Sequence, residues 1–304
     1  MRVTGQQMHR LNLTSMQQNA TNYGQVMQQM STGKRINVAS DDPLGAVQTL
    51  SLQREQAAIS QYMDNIGGLR MSLSRSESNL DNMNNVMLRM RDLTLQAFNG
   101  TNGPEERDGI AAELRILRDS LVDYANAKDE KGKYIYAGHE VDTPPITIDD
   151  DGNYVYQGDD GLREIPVGDG SFVTGNDTAN QLFFNGATDI FNQMTQWIDA
   201  LEDPELDTND PEFHALFEQT MEIIDFSISS VGQTMTEIGG RQNAMNLMEM
   251  AHQDIGLFNQ ELIGNIEDLD YAEASLELAT YLLALQATQQ SYAQINQMSL
   301  FNHI

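Results

Sequence analysis

Few side chains in this sequence stand where catalysis or metal binding would need them. The five histidines, at positions 9, 139, 214, 252 and 303, form neither an HExxH pair nor any other ligand spacing. His252 falls within an apolar helical stripe between Met248 and Ile255, where a hydrogen-bonded seam histidine is the expected role. Asp149, Asp151 and Asn153 match the first half of a calcium loop, but Tyr154 occupies the required glycine position and no glutamate closes it. A hairpin turn is expected there instead. Gly170-Ser171-Phe172-Val173 does not complete a Gly-x-Ser-x-Gly elbow, and no glycine-rich phosphate loop occurs. Cysteine is absent, which removes disulfides, thiolate nucleophiles and cysteine–zinc sites. The expectation is no catalytic residue, no metal and no cofactor, with the methionines serving as core filler at helical spacing.

Charge narrows the classes further. The 304 residues carry a formal net charge of −28, and the first hundred are nearly neutral. Between Tyr134 and Gly240 the only Lys or Arg is Arg163. Such a surface repels nucleic acid and anionic lipid, and charge runs of this kind solvate rather than bind. No stretch approaches the roughly 18 apolar residues of a membrane span. The polar start Met1-Arg2-Val3-Thr4-Gly5-Gln6-Gln7 lacks the apolar core of a secretory signal. The length suggests about two domains.

The elements that would position any site are mostly helices. Leu13, Met16, Ala20, Tyr23, Met27 and Met30 step alternately by three and four, flanked by amides rather than charges. Ser31-Thr32-Gly33-Lys34-Arg35 breaks this pattern. Asp41-Asp42-Pro43 restarts it as a helix cap and corner, since Asp accepts free backbone N–H groups and Pro needs none. Ile59, Tyr62, Ile66, Leu69, Leu73, Ser76, Leu80, Met83, Met87, Met90, Thr94 and Ala97 then mark one face of a helix over 44–98, roughly 80 Å long at 1.5 Å per residue. After the turn cluster 99–104, Ile110, Leu114, Leu117, Leu121 and Tyr124 predict a helix running back along the first.

From about Gly132 the texture changes. Lys133–Gly138 reads as β-like, 146–148 and 154–156 as a hairpin, and glycine–aspartate turns punctuate two further short strands. Helical spacing returns at Ile190–Leu201 and from Phe213 through Ile238, Met245, Ile255 and Leu262. The last stretch, Ala272–Ile295, has Leu278, Leu282, Leu285 and Tyr292 on one face and amides elsewhere. The fold class is mainly α, a long antiparallel helical bundle built from both chain ends with a small β-rich insertion. Residues 1–40 and 265–304 are the terminal helices, 41–132 and 187–264 the long-helix core, and 133–186 the insertion. Its charge and turn density suggest a solvent-facing knob that assembly can dispense with. The matched terminal seams are the expected assembly interface, packing on each other and on neighbouring subunits.

Several motifs resemble the bacterial flagellin superfamily. Ser31-Thr32-Gly33-Lys34-Arg35-Ile36-Asn37-Val38-Ala39-Ser40-Asp41-Asp42-Pro43 is similar to its N-terminal signature. The Thr-Gly-Lys-Arg and Ser-Asp-Asp-Pro variants resemble the hook-associated protein 3 branch rather than flagellin proper. Gly132–Gly138 and Gln290–Phe301 also resemble that branch, while Gly239-Gly240-Arg241-Gln242-Asn243 resembles a glycine–arginine–asparagine turn of both groups. The resemblance implies a non-enzymatic adaptor at the hook–filament junction, leaving the cell by the flagellar type III route and residing extracellularly in the flagellum. It implies as partners further copies in a ring, another hook-associated protein, flagellin and a cytoplasmic export chaperone on the C-terminal segment. Neither nucleic acid nor membrane insertion is expected. The alternatives are a flagellin filament subunit or a ligand-binding module using the insertion.

Overall fold

The computed structural model describes residues 5–301 apart from Thr101 and Ala187. Residues 1–4 and 302–304 of the expected terminal segments, His303 among them, lie outside the described residues. The chain forms α1 (Gly5–Thr32), α2 (Pro43–Ala97) and α3 (Pro104–Ala125), then a β-rich segment, then α5 (Ile190–Leu201), α6 (Pro211–Glu267) and α7 (Tyr271–Phe301). The β-rich segment holds β1 (Ile146–Ile148), β2 (Tyr154–Tyr156), β3 (Glu164–Gly168), β4 (Ser171–Thr174), the short helix α4 (Ala179–Phe183), β5 (Phe184–Asn185) and β6 (Thr188–Asp189). Each sheet is a two-stranded antiparallel hairpin. The chain divides into two compact units, one from residues 60–252 and one from the flanking segments.

The larger unit is a helical bundle whose seam follows the apolar spacing. Along α2, Ile66, Leu69, Leu73, Leu80, Met83, Met87, Met90 and Ala97 are all buried, and so are Ser76 and Thr94 on the same face. α3 begins where Gly103 N–H is capped by Glu106 and Pro104 supplies the first helical position. It returns antiparallel to α2, with Arg89 paired to Glu113 across the two helices and Arg75 to Glu130 in the loop beyond α3. α6 is also antiparallel to α2, as Arg91–Asp225, Glu77–Gln242 and Arg70–Glu249 show. These pairs are largely exposed and contribute little energy, but they record the register. Beyond the end of α2, Phe98 stacks on Phe217 at 3.9 Å between ring centroids, and Trp197 stacks on Phe213 at 5.0 Å.

The β-rich segment corrects the sequence reading in two respects. Lys133–Gly138 is not a strand. Its backbone turns outward to separate partners, Tyr134 N–H to Val141 and Ile135 N–H to Ala127, leaving only isolated bridges. Burial drives this: Tyr136 is fully buried, with its hydroxyl on the Ser76 carbonyl at 3.3 Å, and burial raises its pKa. Nor is the segment a solvated knob. Ile146, Tyr154, Val167, Leu182 and Phe183 belong to the same apolar cluster as Leu80, Leu114, Trp197 and Ile224. The hairpin at 146–156 forms as expected, closing through Gly152 at φ 87°, and the two further short strands pair with each other as 164–168 and 171–174. α4 and the β5–β6 hairpin were not legible in the spacing.

Two corrections concern α6. Gly239-Gly240-Arg241-Gln242-Asn243 is no turn; it lies inside the continuous helix. And Ile255 is exposed, because the covered face passes from Met245 through His252 to the smaller Gly256 and Asn259. Helical glycines with room for a methyl group give a simple test. A Cβ at Gly68 or Gly240 would meet nothing within 4 Å. Gly68→Ala or Gly240→Ala should therefore raise Tm by roughly 1–4 °C, from about 1 kcal/mol of helix propensity each. Calorimetry checks this, and a fall in Tm would refute it.

Candidate assembly interface at the paired chain ends

α1 and α7 pack on each other. Two contacts fix them as antiparallel: the Tyr271 hydroxyl donates to the Met30 carbonyl at 3.2 Å, and the His9 and Tyr292 rings lie 5.0 Å apart. Counting inward from both, Met16 lies level with Leu285 and Tyr23 with Leu278. Of the seam residues expected from sequence, Leu13, Met16, Tyr23, Met30, Leu278, Leu285 and Tyr292 are half-buried, while Ala20, Met27 and Leu282 are exposed. Val26, which the three-four count passed over, is the most covered residue of α1 at 4% exposure.

The pair therefore leaves apolar side chains open in one chain, at several positions around the two helices. Leu11, Leu276 and Leu283 are 64, 71 and 71% exposed, and Met8, Met27 and Leu282 join them. The sequence signal for these open positions was the adjacent pair Leu282-Leu283, since one apolar stripe cannot hold two consecutive residues. α7 is apolar around much of its circumference, the pattern of a helix destined to be covered on several sides.

Both chain ends turn at one polar corner. α1 stops at Thr32 because Gly33 takes φ 73° and its N–H closes onto the Gln29 carbonyl at 2.8 Å. The strands of chain leaving α1 and α6 then clasp: Arg35 N–H donates to the Glu267 carbonyl at 2.6 Å and Leu269 N–H to the Gly33 carbonyl at 3.0 Å. Lys34 pairs with Glu267 at 2.6 Å, and the Arg35 guanidinium reaches both the Ile266 carbonyl and Asp42.

Asp41, Asp42 and Pro43 form the expected cap and corner. Asp41 accepts from the backbone N–H groups of Asn37 and Val38, both at 3.1 Å. Asp42 accepts from Gly45 N–H at 2.9 Å as α2 starts at Pro43. The chain passes close at Gly45, where a Cβ would stand 2.7 Å from Asp42 Oδ2 and 2.8 Å from Ile36 Cδ1, so either side chain would have to shift. Asp270 plays the matching part for α7, accepting from Ala272 and Glu273 N–H. It could have been found as an aspartate standing before an apolar helical run. No group of His, Asp or Glu that could hold a metal occurs among the described residues.

The Gly45 N–H and then the Arg35 guanidinium hold the Asp42 carboxyl below its ordinary 3.8. A lowered folded pKa stabilises above the unfolded value and is lost as pH falls through the folded one. Hydrogen exchange in the first turn of α2, corrected for intrinsic rate, should therefore quicken as the solution is acidified below the ordinary carboxylate range. Asp42→Asn, which keeps an acceptor without the charge, should flatten that dependence. An unchanged profile would show that the corner is held by something else.

Comparison with known proteins places a chain of this organisation among flagellar proteins. The family model for the bacterial flagellin N-terminal helical region matches residues 3–140. Flagellar hook-associated protein 3 of Escherichia coli (strain K12) is 28% identical over 317 residues, covering 99% of each chain. A solved structure of a flagellar hook-associated protein from Vibrio parahaemolyticus is 34% identical with a TM-score of 0.69, covering 75% of this chain and 100% of that one. Polar flagellin F of Vibrio parahaemolyticus is 32% identical, but over only 38% of this chain and 30% of the flagellin. The chain belongs to the hook-associated protein 3 family of the flagellin superfamily, a family of structural proteins of the flagellum. No described helix is long and apolar enough to cross a membrane.

Proposed function

We propose that this chain is a structural adaptor joining the flagellar hook, through another hook-associated protein, to the flagellin filament. The observation that carries this reading is the end-to-end match: the similarity to hook-associated protein 3 runs through both termini and the insertion, whereas that to the polar flagellin stops after about a third of the chain. The subunit leaves the cell through the flagellar type III channel, with a cytoplasmic chaperone covering its C-terminal helix until export. It works extracellularly as a ring of copies. The terminal helices form the inner layer, and the exposed side chains of Leu11, Met27, Leu276, Leu282 and Leu283 pack on neighbouring subunits. Burial of these side chains is a sufficient driving force, at about 25 cal/mol per Å² of apolar surface.

Deletion of the gene tests the reading. Cells should retain hooks, lack attached filaments and shed flagellin into the medium. Loss of the hooks, or a purified protein that grows long filaments on seeding, would sink it; the second result would favour a filament subunit.

A further inference from the structure

The seam between α2 and α6 is rich in methionine on the α2 side, where Met83, Met87 and Met90 join one cluster with Val231, Ile238 and Met245 of α6. Methionine adapts to irregular gaps, so such a seam fills space well but discriminates poorly between axial registers one helical turn apart. Buried polar contacts at fixed positions are what specify register in long helical pairs. The structure concentrates such contacts on one hairpin.

β3 and β4 pair with a break between Pro166 and Gly168, which leaves Val167 without a partner across the ladder. The two carbonyls at this irregularity go to different helices. Asn65 Nδ2 of α2 donates to Pro166 O at 2.8 Å, and His252 Nε2 of α6 contacts Val167 O at 2.6 Å. A carbonyl only accepts, so Nε2 carries the hydrogen. The His252 ring, 8% exposed, stacks on Tyr62 of α2 at 5.4 Å. Just beyond β4, Gly175 packs so close to α2 that a Cβ would lie 3.2 Å from Leu69 Cδ1. Two residues later Asp177, whose side chain is 2% exposed, pairs with Arg241 of α6 at 2.8 Å.

We propose that the β3–β4 hairpin is a strap that locks α2 and α6 in axial register, with Asn65 and His252 as its two positioning residues. The strap reads one helix with each of two neighbouring carbonyls, so a slip of either helix by one turn breaks a buried hydrogen bond. It does not depend on where in the flagellum the protein works.

The absence of native cysteine makes the test clean. In the full chain, Glu77→Cys is paired with either Gln242→Cys, level with it across the two helices, or Asn246→Cys, one turn away, and each pair is linked with a short bifunctional thiol reagent. The native background should strongly favour the first pair. Adding His252→Phe, which keeps the stacked ring but loses the donor, should reduce that preference about tenfold, and His252→Gln, which restores a donor, should recover most of it. Asn65→Leu should act in the same direction, and combining it with His252→Phe should add less than the sum of the two. Unchanged selectivity in His252→Phe with helical content intact would overturn the strap. So would failure of His252→Gln to restore it, since the ring would then be filling space only. If the combined variant does not fold, the His252→Phe and His252→Gln pair decides alone.

Discussion

Excising residues 140–185 behind a short Gly/Ser linker is expected to destroy the cooperative unfolding transition of the larger unit. The excised stretch carries Ile146, Tyr154, Val167, Leu182 and Phe183 into the apolar cluster, and without them Tyr136, Phe191 and Met194 face water. At about 1.5–3 kcal/mol for each fully buried large side chain, the loss is on the order of 10 kcal/mol. That is comparable with the entire stability of a typical domain. The ties that hold the segment in place go too, including Asp177–Arg241 and the Asn192 side-chain bonds to the Tyr154 backbone. Calorimetry should show no sharp transition, and the protein should be insoluble or degraded before export. A variant that melts cooperatively and still supports attached filaments would show that the cluster closes without the insertion.

This expectation reverses the one drawn from composition, and the reason is physical. Acidic side chains and Gly–Asp turns occupy the tips of the hairpins, where solvation is cheap, while single residues between them, Ile146, Tyr154 and Val167, are buried. Three-residue strands such as Ile146–Ile148 are too short for period-two alternation to announce a buried face. Long elements were legible for the opposite reason. Over the twelve positions named on α2, a pattern that repeats every turn is hard to imitate by chance, and eleven of them are buried, Tyr62 alone being intermediate. The corner was half legible. Asp42 and Pro43 announce themselves locally, but Lys34–Glu267 and Arg35 on Ile266 join residues more than two hundred positions apart, and no local pattern encodes that. Likewise the seam of α1 was placed one residue off at Met27, because Val26 and Met27 are both apolar and only the partner helix decides which one it covers.

The terminal pair should behave quite differently from the unit just considered, and one substitution should separate stability from assembly. α1 and α7 span 28 and 31 residues, and such helices in proteins draw most of their stability from packing of an apolar face rather than from propensity. Their mutual packing covers little: among the described apolar side chains of the two helices only Val26 and Ala274 are buried, whereas α2 buries a whole row. Amides of 7–30 and 272–294 should therefore exchange orders of magnitude faster in the monomer than those of 66–97, by opening that leaves the core intact. Leu282 lies at the rim of the face turned to α1 and is 42% exposed, so Leu282→Asp should move the main thermal transition by no more than a surface substitution does, within about 0.5 kcal/mol. In the assembled ring the same carboxylate would sit in a covered apolar contact, where an unpaired charge costs several kcal/mol. Incorporation at the hook tip should be abolished, and filaments shed, with export of the subunit unchanged. Leu285→Asp, on the face turned toward α1, should in addition speed exchange across both terminal helices. If Leu282→Asp assembles normally, the exposed rim at Leu282 is not an interface. Terminal amides as protected as those of α2 would mean that the pair is held by contacts stronger than its burial accounts for, and assembly would then begin from an already rigid end.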